Sequence, residues 1–157
     1  MAGSGTPNIY LKAGEFIMLS GPACVLTVLG SCVSVTMFNK RMGMGAICHA
    51  LLPRKTGDEN DFKFVDSSIV QMIKAFEKLK IGRHEIEVKL FGGADMFRAR
   101  TGNLWLTSIG DQNVKTALST IERENLRLRA SDIGGRSGRK IYYYIHENRV
   151  PVKRLKQ

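Results

Sequence analysis

The chain has 157 residues, enough for one domain with a sizeable buried core, and its 43% hydrophobic and 24% charged residues are ordinary globular composition. No apolar run approaches the roughly 18–20 residues that cross a bilayer, which excludes a spanning helix and direct membrane insertion. The net charge is +10. From Arg136 to Gln157 seven basic residues (Arg136, Arg139, Lys140, Arg149, Lys153, Arg154, Lys156) stand against one acid, Glu147, so this segment carries +6 of the total. No recognition-helix signature, zinc-finger spacing or aromatic RNA-binding motif accompanies that charge. It reads as a solvated face that attracts acidic surface, and no nucleic-acid partner is expected. The three cysteines are odd in number and close in sequence, so free thiols in a reducing compartment are expected rather than disulfides. The start is polar and glycine-rich, without a basic segment leading into an apolar one. A frayed stretch through residue 13 and a cytoplasmic protein follow as expectations.

In chain order, Glu15 to Leu19 and Cys24 to Leu29 are apolar strand candidates, and Gly30-Ser31 interrupts the second. Cys32 to Phe38 alternates as a strand, and Met44 to Leu52 is a largely apolar strand ended by Pro53. A polar loop follows to Asp61. Phe64 to Lys80 is the clearest helix, with Val65, Ile69, Met72, Ile73, Phe76 and Leu79 in one stripe, Asp66 near its positive end and Gly82 as its stop. Glu85 to Phe91 alternates as a strand and meets Gly92-Gly93. Asn113 to Glu124 is a second amphipathic helix that turns Val114, Ala117, Leu118 and Ile121 inward. Leu126 to Ala130 is a strand, Gly134-Gly135 a tight turn, Lys140 to Ile145 a tyrosine-rich strand, and Val150 to Leu155 a last short one. Many strands with two helices, not in regular alternation, predict an α/β domain of the α+β type over residues 1–157: a layered mixed or antiparallel sheet packed by two main helices.

Chemistry concentrates at Gly30-Ser31-Cys32. A cysteine at a glycine-made bend beside a strand exposes its sulfur together with backbone N–H groups. Attack on an amide needs that combination: a thiolate for the carbonyl carbon and donors for the oxyanion. Buried filler is the plainer reading of such a cysteine. His49 lies in the otherwise apolar run Gly45 to Pro53, where an imidazole needs a partner. It is either a core histidine bonded to a carbonyl or a base that takes the thiol proton and returns it to departing ammonia. In a regular strand Cys48 and His49 point to opposite faces, so Cys48 cannot serve its own neighbour. Cys24 has no glycine bend beside it, and Cys32 is the better nucleophile. Thr27 has two readings, an orienter of the His49 ring and a plain strand residue. Zinc is disfavoured: there is no Cys-x-x-Cys, and His84 and His146 lie far off in polar segments. No metal or organic cofactor is expected.

Thr27-Val28-Leu29-Gly30-Ser31-Cys32-Val33-Ser34-Val35 followed by Gly45 to Pro53 resembles the CheD family. Lys63 to Asp66, Phe91-Gly92-Gly93-Ala94-Asp95-Met96-Phe97, Ile109-Gly110 with Asn113, and Asp132 to Gly135 with Gly138-Arg139 continue the resemblance, from about Gly14 to Lys153. It implies an α/β layered fold and a deamidase that hydrolyses chemoreceptor glutamines to glutamate. It implies a site of Cys32, His49 and Thr27, with backbone N–H groups around Gly30 and Ser31 holding the oxyanion and Gly92-Gly93 beside them. The implied partners are the cytoplasmic region of methyl-accepting chemoreceptors and a CheC-type phosphatase. The family often has Ala-Arg where this chain has Asp111-Gln112, which bears on partner binding. A cysteine–histidine pairing of this kind predicts a lowered thiol pKa. The other reading of the same motifs is a non-catalytic chemotaxis adaptor.

Overall fold

A computed structural model describes residues 6–57, 60–96 and 107–156. Its elements are β1 (Asn8–Tyr10), β2 (Phe16–Ser20), β3 (Cys24–Leu29), β4 (Val33–Asn39), β5 (Met44–Cys48), α1 (Val65–Glu77), β6 (Glu87–Gly92), α2 (Ile109–Arg123), β7 (Arg127–Ile133), β8 (Arg139–Tyr144) and β9 (Val152–Arg154). The strands make two mixed sheets, ordered β1-β3-β8-β9 and β2-β5-β4-β6-β7, instead of the single sheet expected. β1–β3 and β6–β7 are parallel and the other pairs antiparallel. The α+β class stands.

Strand parity explains the layers. On β4, Val33, Val35 and Met37 join a core with Ile69, Met72, Ile73 and Phe76 of α1 and Ala117 and Ile121 of α2. On the opposite face of the five-stranded sheet, Ile17, Leu19, Ile47 and Phe91 meet Val25, Leu29, Ile141 and Tyr143 of the four-stranded sheet. The order is therefore helices, five-stranded sheet, four-stranded sheet. Val65, Ile69, Met72, Ile73 and Phe76 of the α1 stripe are buried as their spacing predicts, each contributing about 1.5–3 kcal/mol of burial, while Leu79, past the end of the helix, is only partly buried.

Several boundaries differ from the pattern. β1 forms within the stretch expected to fray, because Asn8–Tyr10 adds in parallel to Cys24–Leu26. α1 stops at Glu77, and the reversal falls on Lys80 at φ 64°; Gly82 is extended at φ −86°. α2 begins four residues early, since Ser108 caps it by accepting from the Asp111 N–H at 3.1 Å. That places Asp111 in the first turn, where an acid suits the helix dipole. Leu118 is 39% exposed, and Gly110, Asn113, Thr116 and Thr120 take the inward face with Ala117 and Ile121. Arg139 is no part of a solvated face. Its guanidinium is fully buried and donates to the Asp132 carbonyl at 2.7 Å, to Asp132 Oδ1 at 2.5 Å and to the Gly134 carbonyl.

Gly110 marks where α2 is driven against the loop after β6: a Cβ there would overlap the Ala94 carbonyl oxygen. Gly110→Ala is expected to lower stability by about 1–3 kcal/mol, through overpacking against backbone that cannot yield. Urea denaturation of the variant against the parent checks this.

Candidate active site

β3 and β5 bring two of the expected residues together across the space between the sheets. Thr27 shares the inward face of β3 with Val25 and Leu29 and is fully buried. His49 follows β5, on the same face as Ile47, and is 6% exposed. Thr27 Oγ1 lies 2.7 Å from His49 Nδ1 and 2.8 Å from the Leu11 carbonyl oxygen. A hydroxyl has one proton, and a carbonyl can only accept it. Thr27 therefore donates to Leu11 and accepts from His49 Nδ1–H, which leaves Nε2 unprotonated and able to act as a base. The His49 backbone is tied in turn to the segment after Leu11: Gly14 N–H donates to its carbonyl at 2.7 Å, and its own N–H donates to the Glu15 carbonyl at 3.1 Å.

Cys32 reaches the same face by register. Val33 and Ala50 exchange both backbone hydrogen bonds, at 3.0 and 2.9 Å, continuing the β4–β5 pairing of Thr36 with Ile47. Val33 and Ala50 point into the helix-side core, so Cys32 and His49 both point the other way. They are diagonal neighbours, with Cα atoms about 7–8 Å apart in this relation. In the same register Ser34 falls opposite His49, fully buried and with a hydroxyl that finds no partner among the described residues.

The bend before Cys32 is held at three points. The Gly30 carbonyl accepts from Ala94 N–H at 2.9 Å, the Cys32 carbonyl from Gly93 N–H at 2.8 Å, and the Ser31 carbonyl from Asn113 Nδ2 at 2.9 Å. Gly92 and Gly93 thus lie directly against the bend. Gly92 sits at φ +105°, and a Cβ on it would overlap the Cys32 carbonyl oxygen. Further along, Gly134 N–H donates to the Gly92 carbonyl at 2.9 Å and Asp95 N–H to the Gly135 carbonyl at 2.8 Å. The turn clamped by buried Arg139 therefore backs the loop. Phe97, the last residue of the Phe91–Phe97 motif, lies outside the described residues. Among the described residues, neither Ser31 N–H nor Cys32 N–H has an acceptor in another residue.

The three thiols stand in different environments. Cys48 is fully buried on the helix side, and burial pushes its thiol up to about 11. Cys24 pairs with Tyr144 on the far side of the four-stranded sheet, and burial raises its thiol too. Cys32 alone is half-buried between the sheets, at the bend. Among the described residues no group of three or more metal-ligating side chains converges, and no helix is long and apolar enough to cross a membrane.

The expectation of a lowered Cys32 thiol is overturned. Burial pushes that thiol up, opposed only in part by its own backbone N–H, and burial pushes the His49 imidazole down. Both shifts favour the neutral forms. Burial thus favours thiol and imidazole over thiolate and imidazolium. Two contributors escaped sequence reasoning. The Leu11 carbonyl is a backbone atom in a stretch expected to fray, and no side-chain pattern marks it. Asn113 carried a signal, a buried-face amide among small residues, but its two targets lie 82 and 62 residues away in sequence. The rate of Cys32 alkylation by iodoacetamide is expected to rise with a midpoint above pH 8.5, the ordinary thiol value. A midpoint near 6 would show an ion pair instead.

The family model described as CheD chemotactic sensory transduction matches residues 51–154. A probable chemoreceptor glutamine deamidase CheD 2 of Geobacter sulfurreducens is 45% identical over 149 residues, 95% of this chain and 91% of that one. A probable chemoreceptor glutamine deamidase CheD of Maridesulfovibrio salexigens is 34% identical over 158 residues, covering 96% and 93%. One of Pyrococcus abyssi is 34% identical over 155 residues, again covering 96% and 93%.

Proposed function

The chain belongs to the CheD family, and on that premise we propose that it is a protein-glutamine deamidase, converting chemoreceptor glutamine side chains to glutamate through Cys32, His49 and Thr27. The observation that carries the reading is the Thr27 hydroxyl, which accepts from His49 Nδ1–H and leaves Nε2 without a proton, on a histidine that shares its face of the sheet with Cys32.

The chemistry runs in two halves. As Cys32 Sγ attacks the side-chain carbonyl carbon, its proton passes to His49 Nε2. The carbonyl oxygen becomes an oxyanion, held by the N–H groups of Ser31 and Cys32 at the bend that Gly30 opens. The C–N bond breaks as Nε2–H protonates the nitrogen, so ammonia leaves and a thioester remains. His49 then takes a proton from water, the hydroxide attacks the thioester, and the C–S bond breaks. The proton returns to sulfur. The sum is glutamine plus water to glutamate plus ammonia, and the protein ends unchanged. Thr27 keeps the ring in one tautomer and orientation throughout.

The place of action in this reading is the cytoplasm, on the cytoplasmic region of a methyl-accepting receptor. A CheC-type phosphatase is the second partner, a proposal that rests on family membership alone. The basic C-terminal segment supports an acidic partner surface, with Lys140, Lys153 and Arg149 on β8, β9 and the turn between them.

Incubation with a purified receptor cytoplasmic fragment, read by mass spectrometry, is expected to add about one dalton per glutamine with the parent protein and nothing with Cys32→Ala, since an amide nitrogen is exchanged for oxygen. No shift with either protein favours the adaptor reading. The pH dependence follows in sign from His49. Only the neutral imidazole can take a proton, and its folded pKa lies below the ordinary value. Activity therefore persists as pH falls to about 6.5, the unperturbed histidine value, and is lost below it. A kcat/KM acid limb centred above 7 would contradict this assignment.

A further inference from the structure

Asn113 is fully buried in α2, yet it is neither a good helix former nor an apolar core residue. Its carboxamide spends both N–H protons on backbone carbonyls of two separate segments: Nδ2 lies 2.9 Å from the Ser31 oxygen and 2.9 Å from the Leu51 oxygen. Ser31 immediately precedes Cys32, and Leu51 comes two residues after His49. One amide therefore ties together the two segments that carry the proposed thiol and base. Its Oδ1, also buried, has no partner among the described residues. An apolar side chain at this position would avoid that penalty, so what the fold gains from asparagine here is the pair of donors.

The consequence for chemistry comes from peptide geometry. The Ser31 C=O and the Cys32 N–H belong to one planar trans peptide and point in opposite directions. Holding the carbonyl toward α2 aims the Cys32 N–H away from α2, to the side where the Cys32 thiol lies. That N–H is the donor beside the sulfur, the one backbone group that opposes the burial shift of the thiol. The Ala94 N–H does the same for the neighbouring peptide by holding the Gly30 carbonyl at 2.9 Å. The close approach of α2 at Gly110, packed on the Gly93 and Ala94 carbonyls, brings Asn113 within reach.

We infer that Asn113 is a positioning residue for the oxyanion donor: its carboxamide locks the Ser31–Cys32 peptide so that the Cys32 N–H faces the developing oxyanion. The inference rests on the cysteine-nucleophile reading above, but not on chemoreceptors being the substrate.

The test compares two reactions of Cys32 in the full-length protein. Acylation by p-nitrophenyl acetate passes through a tetrahedral oxyanion; alkylation by iodoacetamide does not. In Asn113→Ala the acylation rate is expected to fall about 100-fold, the scale of losing an oxyanion donor. Alkylation should stay within about threefold of the parent rate. Asn113→Ser keeps one donor, can hold only one of the two carbonyls, and is expected to fall between. It also serves if the alanine variant does not fold, with circular dichroism and the urea midpoint reporting folding of each. Acylation and alkylation falling together, or acylation unchanged in a folded variant, would overturn the inference. Selective loss of acylation in a protein that leaves receptor glutamines untouched would uphold it while the deamidase reading failed. A parent protein that p-nitrophenyl acetate never acylates at Cys32 would remove the nucleophile reading, and this inference with it.

Discussion

The candidate site depends on one hydroxyl proton. Thr27 spends it on the Leu11 carbonyl, and that choice makes the hydroxyl an acceptor toward His49 Nδ1. The contact crosses from the four-stranded to the five-stranded sheet in a space where the other facing residues are chiefly aliphatic and aromatic. A polar pair buried there is worth more than at a surface and costs more if broken. The fold supplies it with two fixed backbones: β3, paired on both sides, and the Leu11–Glu15 segment, which leaves one sheet, passes His49 with two backbone hydrogen bonds, and enters the other.

Burial shifts both groups of the site toward their neutral forms, away from an ion pair. Thiol and imidazole are each shifted toward neutrality by loss of water, and among the described residues no cation lowers the Cys32 thiol in opposition. In the proposed mechanism such a site takes the thiol proton onto Nε2 as attack begins. It depends heavily on where its donors point. The bend before Cys32 is accordingly tied by Gly93, Ala94 and Asn113, and the loop that supplies two of these ties is backed by the glycine turn around buried Arg139.

Much of this was legible in local pattern. The opposite facing of Cys48 and His49 followed from strand parity alone, and the structure puts Cys48 in the helix-side core and His49 between the sheets. The α1 stripe was legible for the same reason, a period that burial enforces. What was not legible depends on contacts distant in sequence. Residues 8–13 look like a loose start until β3 gives Asn8–Tyr10 a partner and the Leu11 N–H an acceptor at Leu26. Arg139 sits in a run of basic residues that composition alone assigns to solvent, yet its pairing partners Leu29 and Arg154 draw it inward to Asp132. Leu118 shows the converse: helical spacing put it inside, but the close approach at Gly110 rotates small and polar residues into that place. The thiol shift was misjudged because sequence shows the base and not the depth at which the pair is buried.

The most direct test of this account is the tautomer of His49, read by 15N NMR on histidine-labelled protein near neutral pH. The account predicts a neutral ring with the proton on Nδ1 and a bare Nε2, and loss of that bias in Thr27→Val. A proton on Nε2, or a doubly protonated ring at pH 7, would contradict it, because neither form can accept the proton of Cys32.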